Sequence, residues 1–314
     1  MKLALLFPGQ GAQKVGMGSA LAHEFPVARR VFEEADEALG FGLTRLCCEG
    51  PEEDLRLTVN TQPAILTVST AALRVFESEG GMIPELAAGH SLGEYGALVA
   101  AGALSFADAV RAVRERGRLM QEACPAGQGA MAALIGLDLA AVTALCEEVS
   151  AEGEIAVAAN INAADQVVIS GHASPVRKAL AIAKERGARA STELNVSAPF
   201  HSPLMAPARA GMEPVLRRIQ FADLRFGVIA NVSAQINRDG VTARSLLLDQ
   251  ITGPVRWEES MRVLVGAGIT AAIELGPGRV LAGLMRRIDR NVKVHPAEEP
   301  AALHAAVTAI ANGP

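Results

Sequence analysis

The chain has 314 residues, half of them hydrophobic, with 29 basic against 34 acidic residues and a formal net charge of -5. That length buries a large core, as one big α/β domain or as a domain carrying a smaller one; a mildly acidic chain with no Lys/Arg block, one Trp and one Tyr excludes a nucleic-acid interface and an aromatic stacking platform. Cys47, Cys48, Cys124 and Cys146 form no C-x-x-C pair and read as reduced thiols, no metal is expected, and the absence of signal-peptide and membrane-span patterns points to the cytoplasm.

Leu3 to Phe7 is continuously apolar, the pattern of a strand buried on both faces of a parallel sheet. The glycine-rich loop after it, Pro8 to Gln13, is no dinucleotide fingerprint, because Lys14 stands where the third glycine would be. Such a loop can instead bring a backbone or a short polar side chain close to a ligand. Gln10 is the side chain best placed for that, or else it is a turn residue bonding its own loop. Helical periodicity runs from Gly18 to Leu39, and Asn60-Thr61-Gln62-Pro63 starts a further helix with Thr61 as cap and Pro63 in its first turn.

Ile83 to Ala88 leads into Gly89-His90-Ser91-Leu92-Gly93, which opens an Ala/Gly/Leu-rich helix from Leu92 to Ala101. A serine on a sharp strand-to-helix turn has its hydroxyl pushed outward, and the unpaired N–H groups of the helix start face an anion forming on an attacked carbonyl. Ser91 in that setting is built for acyl transfer; the bland alternative is a glycine-flanked loop serine. Gly89 and Gly93 are there because a side chain at either flank would collide with strand or helix.

Ser105-Phe106-Ala107-Asp108 is a capping box. In the helix it opens, Ala109, Val110, Ala112, Val113, Gly117 and Met120 share one side, and Arg116 falls inside that apolar arc. A guanidinium aimed at the core is costly unless it meets an anion, so Arg116 either binds a ligand carboxylate or snorkels to water from the edge of the arc. After the break at Pro125 to Gly129 come strand 130–136, helix 139–151, strands 155–159 and 166–170, helix 175–187 and strand 190–196, the β-α-β-β-α-β order of a ferredoxin-like unit. The expected fold is therefore α/β: an α/β-hydrolase-like main domain with a parallel sheet, residues 1–127 and 197–314, carrying an inserted ferredoxin-like subdomain at 128–196.

Pro199-Phe200-His201-Ser202-Pro203 follows the insertion. Two prolines hold His201 in a rigid loop, which suits a general base, although a lone loop histidine is also a common surface residue. The remainder alternates again, with strands at 225–230 and 271–275, helices at 245–250, 258–266 and 279–290, and Gly276-Pro277-Gly278 at a strand's carboxyl end, where open α/β sheets place ligands.

Seven blocks in register resemble the malonyl-CoA:acyl carrier protein transacylase family: Phe7 to Gly11, Asn60 to Pro63, Gly89 to Tyr95, Arg116-Gly117 with Met120-Gln121, Pro199 to His201, Gln250 with Pro254-Val255, and Glu274 to Gly278. The resemblance implies that Ser91 is the nucleophile and His201 its base, oriented by a backbone carbonyl near Gln250 rather than by an aspartate. It implies an oxyanion hole from the backbone N–H groups of Gln10 and Leu92, and Arg116 binding the free malonyl carboxylate, with Gln62 and Phe200 in the same substrate pocket. Phe200 departs from the Ser of several related stand-alone enzymes; in polyketide acyltransferase domains a Phe there goes with malonyl. The implied reaction is ping-pong transfer of malonyl from malonyl-CoA to the pantetheine thiol of acyl carrier protein, in fatty-acid or polyketide synthesis, by a cofactor-free and metal-free monomer.

Two other readings compete. An α/β-hydrolase-type serine esterase or thioesterase would use His295 or His304 and an acidic partner, leaving Arg116 without a role. A non-catalytic carrier-protein-binding module would have a degenerate site. For docking the acidic carrier, the basic group Lys178, Lys184, Arg186 and Arg189 is the expected patch.

Overall fold

The computed structural model describes residues 2–311 apart from 126 and 197. Ser197, where the sequence places the start of the second main-domain segment, lies outside the described residues, as do Ala126 of the 125–129 break, Met1 and residues 312–314. β1 (Leu3–Phe7) is followed by α1 (Ser19–Glu24), α2 (Pro26–Leu39), α3 (Leu43–Glu49), α4 (Glu52–Arg56) and α5 (Thr58–Ser78), then β2 (Leu86–Gly89), α6 (Gly93–Ala100) and α7 (Phe106–Glu122). Next come β3 (Gly129–Ile135), α8 (Leu139–Val149), β4 (Ala156–Ala163), β5 (Gln166–His172), α9 (Ala173–Ala183) and β6 (Ala190–Glu193). The chain continues through α10 (Ala206–Arg217), β7 (Gly227–Ile229), β8 (Ile236–Asn237), α11 (Gly240–Thr252), α12 (Trp257–Gly266), β9 (Ala271–Glu274), α13 (Val280–Ile288), β10 (Lys293–Pro296) and α14 (Pro300–Ala311).

The strands form two sheets. The larger has the order β10-β9-β1-β2-β7-β8, parallel throughout except for the antiparallel edge strand β8. β1 lies inside it with helices on both faces, which is why its five residues are all apolar. Leu3, Leu5 and Phe7 join the core with α2, α5 and α6, while Ala4 and Leu6 join a second cluster with Trp257, Met261, Leu281 and Met285. Each fully buried Leu or Phe contributes about 1.5–3 kcal/mol.

The smaller sheet is antiparallel, in the order β4-β5-β3-β6. Alternation along β3 divides its faces: Ala132 and Leu134 pack under α8 and α9, while Met131 faces the main core. The smaller sheet is also stitched by backbone bonds to the segment between α11 and α12, Ile161 N–H to Val255 O at 2.9 Å and Val255 N–H to Ala159 O at 2.8 Å.

Helix boundaries differ from the sequence reading at several places: α9 ends at Ala183 rather than at 187, α11 runs from Gly240 to Thr252 rather than over 245–250, α13 ends at Ile288 rather than at 290, and two boundaries near the amino terminus have a local cause. The periodic stretch 18–39 is two helices, because Phe25, preceding Pro26, is held extended (φ -113°, ψ 117°) and Pro26 restarts the helix at its first position. Thr61 caps nothing: α5 already starts at Thr58, the Asn60 and Thr61 N–H groups both bond Leu57 O at 2.8 Å, and the Thr61 hydroxyl donates to Leu55 O. Pro63 consequently sits inside the helix rather than in its first turn.

Contact between α6 and the sheet is closer than any side chain permits. A Cβ on Gly93 would lie 2.1 Å from Phe7 O, and one on Gly89 would lie 1.9 Å from the Gly93 carbonyl. Gly93→Ala is therefore expected to prevent accumulation of folded protein, since the atom in the way is backbone. Gly283→Ala, in α13 where a Cβ would meet nothing within 4 Å, should instead raise Tm by roughly 1–3 °C through helix propensity. Thermal denaturation of the two variants checks both signs.

Candidate active site

Ser91 stands between β2 and α6 with φ +50°, and His201, in the loop after β6, has φ +57°; of the non-glycine residues only Ala234 shares this left-handed conformation among those described. Such backbone costs roughly 1–2 kcal/mol per residue and persists only where its surroundings over-determine it. Here they do. The Ser91 N–H donates to Asn231 Oδ1 at 2.6 Å, Asn231 Nδ2 donates to Gly89 O at 2.7 Å, and Gln250 Nε2 donates to Ser91 O at 3.0 Å. Both ends of the serine's backbone are thus held by side chains from the far end of the chain.

The His201 imidazole is buried, with Nε2 2.8 Å from Ser91 Oγ and Nδ1 2.9 Å from Gln250 O and 3.2 Å from Gly253 O. Both neighbours of Nδ1 are carbonyl oxygens, which only accept, so Nδ1 carries the hydrogen and Nε2 offers its lone pair to the serine hydroxyl. Burial first, then the nearby Arg116 charge, push the His201 pKa down to about 3 against the opposing pull of the two carbonyls. The ring is neutral at physiological pH, with its Nε2 lone pair directed at the serine hydroxyl.

Arg116 is 1% exposed, on the buried side of α7, and lines the same cleft. Nη1 donates to Gln62 Oε1 and Nη2 to Gln250 Oε1, both at 2.8 Å, and Nη2 also reaches Ser91 Oγ at 3.2 Å. Its Nε has no protein partner among the described residues. The guanidinium is therefore next to the serine hydroxyl and bonded only to neutral oxygens, a position from which it can meet an anion attached to the serine. The alternative of an arginine snorkelling to water does not hold at this burial. Below it lies the Tyr95 ring, its centroid 5.9 Å from Cζ.

The cleft measures ≈ 770 Å³ and runs between the two sheets, with Gln10, Gln62, Ser91, Leu92, Phe200 and His201 on the main side and Met131, Asn160 and Leu194 on the other. The Gln10 side chain is occupied by a 3.2 Å bond to Thr58 Oγ1, whereas no protein acceptor is found for the Gln10 and Leu92 N–H groups among the described residues. Both residues line the cleft.

Every residue that the sequence marked for this site lines it or bonds to a residue that does. Three contributions were not foreseen: the Asn231 side chain, the Gln250 side chain as distinct from its carbonyl, and Glu94. Asn231 has no sequence signal, being 140 residues from the serine it holds. Glu94 did carry one, as the only charge in the apolar helix α6, the same argument that singled out Arg116. It is 2% exposed and accepts from Gln250 Nε2 at 2.7 Å and from the Asn231 N–H at 3.1 Å. Burial pushes its pKa up to about 7, against the pull of those two bonds and of Arg116.

The histidines of the hydrolase alternative lie elsewhere. His295 is in β10, in register with Ile273, and His304 in α14 is 3.4 Å from Glu79. Among the described residues no group of three or more His, Cys, Asp or Glu is placed to hold a metal ion, and no helix is long and apolar enough to cross a membrane.

Residues 4–303 match the acyl transferase domain family. The chain is 47% identical over 306 residues to the malonyl CoA-acyl carrier protein transacylase of Bacillus subtilis strain 168, covering 98% of this chain and 96% of that one. It is 44% identical to the transacylase of the same name from Escherichia coli K12, covering 98% and 99%. Among solved structures, the malonyl CoA-acyl carrier protein transacylase of Coxiella burnetii superposes with a TM-score of 0.96 at 41% identity, covering 98% of this chain and 97% of that one. A malonyl-transacylase in complex with a type II PKS acyl-carrier protein superposes at 0.95 with 43% identity, covering 98% and 99%. By identity along nearly the whole chain and by superposition of the fold, the protein belongs to the malonyl-CoA:acyl carrier protein transacylase family.

Proposed function

We propose that the protein transfers malonyl from CoA to the pantetheine thiol of acyl carrier protein through a malonyl ester on Ser91. The observation that carries this is a buried guanidinium 3.2 Å from a serine hydroxyl that is itself 2.8 Å from a neutral imidazole. Ser91 Oγ attacks the thioester carbonyl as its proton passes to His201 Nε2, and the oxyanion is received by the Gln10 and Leu92 N–H groups. Collapse expels the CoA thiolate, which takes the proton from His201. The carrier thiol then gives its proton to His201, attacks the ester, and returns the serine as the alcohol.

Arg116 supplies selectivity. A malonyl group on Oγ places its carboxylate three bonds beyond the ester oxygen, close enough to fold back onto a guanidinium beside that oxygen. The planar fork suits a carboxylate, and Gln62 and Gln250 hold it in place. The bound carboxylate also offsets the part of the His201 depression that comes from Arg116, restoring part of its basicity when substrate is present. Phe200 is buried against the cleft and closes it to bulkier acyl chains.

In the finer description of the fold, residues 128–196 form an inserted ferredoxin-like subdomain and the remainder an α/β-hydrolase-like main domain. The β-α-β-β-α-β order and the β4-β5-β3-β6 arrangement support the first, and a serine at the carboxyl end of β2 opening α6 supports the second. Of the basic group considered for carrier docking, Arg186 pairs with Glu148 and Arg189 with Asp165, so docking there falls to Lys178 and Lys184.

Intact mass after mixing with malonyl-CoA should show an adduct that Ser91→Ala abolishes. His201→Ala should slow its formation by ~10²–10⁴-fold, the usual general-base contribution. An adduct formed at full speed without His201 would remove it from the mechanism.

Acetyl-CoA leaves the Arg116 fork unfilled, and breaking a buried charge pair by removing one partner costs about 3–5 kcal/mol. Arg116→Ala should therefore lose about 10²–10⁴-fold in kcat/KM for malonyl-CoA while acetyl transfer holds or improves. Arg116→Lys should recover part of the loss. An unchanged malonyl-to-acetyl ratio in Arg116→Ala would mean that the carboxylate is read elsewhere.

A further inference from the structure

Arg116 and Glu94 are two buried, opposite charges in one site, and they do not touch. Between them lies the Gln250 side chain, with Oε1 accepting from Arg116 at 2.8 Å and Nε2 donating to Glu94 Oε2 at 2.7 Å. Only one orientation of that amide satisfies its neighbours. The guanidinium can only donate, whereas the ionised carboxylate and the Ser91 carbonyl, 3.0 Å from Nε2, can only accept.

The arrangement reconciles two conflicting requirements. A buried cation needs an anion nearby, but a carboxylate in direct contact would occupy the fork that an incoming carboxylate must use. An amide spacer lets Glu94 compensate Arg116 and leaves the outward edge of the guanidinium open. The Glu94 field nevertheless reaches the pocket, where it has the same sign as a malonyl carboxylate and opposes it.

We propose that Glu94 sets acyl selectivity as a resident counter-charge: acting through Gln250, it stabilises Arg116 in the empty site and thereby moderates the preference for carboxylated acyl groups. The inference rests on Arg116 being the malonyl anchor. It makes Glu94 a positioning residue that touches neither substrate nor Ser91 Oγ, and its effect runs opposite to that of structural damage, which lowers both reactions together.

The test is the ratio of kcat/KM for malonyl-CoA to that for acetyl-CoA at pH 8.5, where Glu94 is ionised. Glu94→Gln keeps the shape and the acceptor but removes the charge, and should raise the ratio by roughly ten- to a hundredfold, as expected for unit charges about 6–12 Å apart at an effective dielectric near 20. Glu94→Asp keeps the charge and should leave the ratio near that of the unmodified protein. A ratio that is unchanged or lowered in Glu94→Gln overturns the proposal, as does Glu94→Asp behaving like Glu94→Gln.

The unmodified protein offers a second measurement that needs no variant to fold. Arg116, Tyr95, His201 and His90 are the other charged or titratable groups around Glu94. Arg116 stays charged, Tyr95 is pushed up to about 12, His201 down to about 3, and burial lowers His90 as well. Between pH 8.5 and 6, Glu94 is the group in this cluster that gains a proton, so the malonyl-to-acetyl ratio should rise as the pH falls through about 7. A flat or falling ratio overturns the proposal. Arg116→Ala separates the two ideas: if its ratio collapses while Glu94→Gln and the pH series leave the ratio unmoved, only the role of Glu94 fails, whereas an unchanged ratio in Arg116→Ala removes the anchor on which it rests.

Discussion

The left-handed backbone of Ser91 is the constraint from which the rest of the site follows. It turns the hydroxyl out of the end of β2, and it is tolerable only because Asn231 holds its N–H and Gln250 its carbonyl. Those two residues come from the segment after β7 and from α11, so the turn is completed only when the carboxyl-terminal third of the chain has docked. Gly89 and Gly93 work on the same problem from within the turn, by leaving room for α6 to press against the Phe7 carbonyl. His201, left-handed as well, meets the serine from a loop whose position depends on the same α11, through the Gln250 and Gly253 carbonyls.

The dryness of the site determines how its charges behave. Water would screen Arg116 and let it swing; buried, it is fixed by two amide oxygens and felt by everything around it. His201 loses basicity to it, and Glu94 retains part of its acidity because of it. Among the described residues no carboxylate stands behind the histidine, whose Nδ1 meets the Gln250 and Gly253 carbonyls. Backbone carbonyls choose its tautomer without adding a negative charge, which leaves Arg116 and its amide partners as the main electrostatic feature beside the serine.

The cleft owes its depth to the way the smaller sheet is attached. One face of that sheet is covered by α8 and α9, and the other contributes Met131, Ala159 and Val168 to the main core. β4 bonds to Val255, Asn162 on β4 meets His90 beside Ser91 at 2.8 Å, and Asp165 is gripped by Arg189 and by Arg287 of α13. A wall fastened at these points limits the access of water to Ser91 by its placement.

The sequence by itself determined everything that depends on local pattern. The apolar run 3–7 could only be a strand buried on both faces; Gly-His-Ser-Leu-Gly between a strand and a helix marked the turn; Arg116 betrayed itself by standing in an apolar arc, and the prolines around His201 signalled a rigid loop. Helix starts were legible where a cap competes only with its own neighbours, as at Ser105, whose hydroxyl accepts from the Asp108 N–H. They were misread where the preceding residues decide, as at Thr61. What only the tertiary structure decided is which polar groups meet. Ser91, Arg116, His201, Asn231 and Gln250 lie on separate elements, and each of their bonds is a meeting of side chains or carbonyls far apart in the chain. A periodicity of 2 or 3.6 residues says which face is buried, but it carries no information about what that face will find there. The role of Glu94 belongs to this second kind: its sequence announces a buried charge, and only the fold reveals that the partner is an amide holding an arginine on its other side.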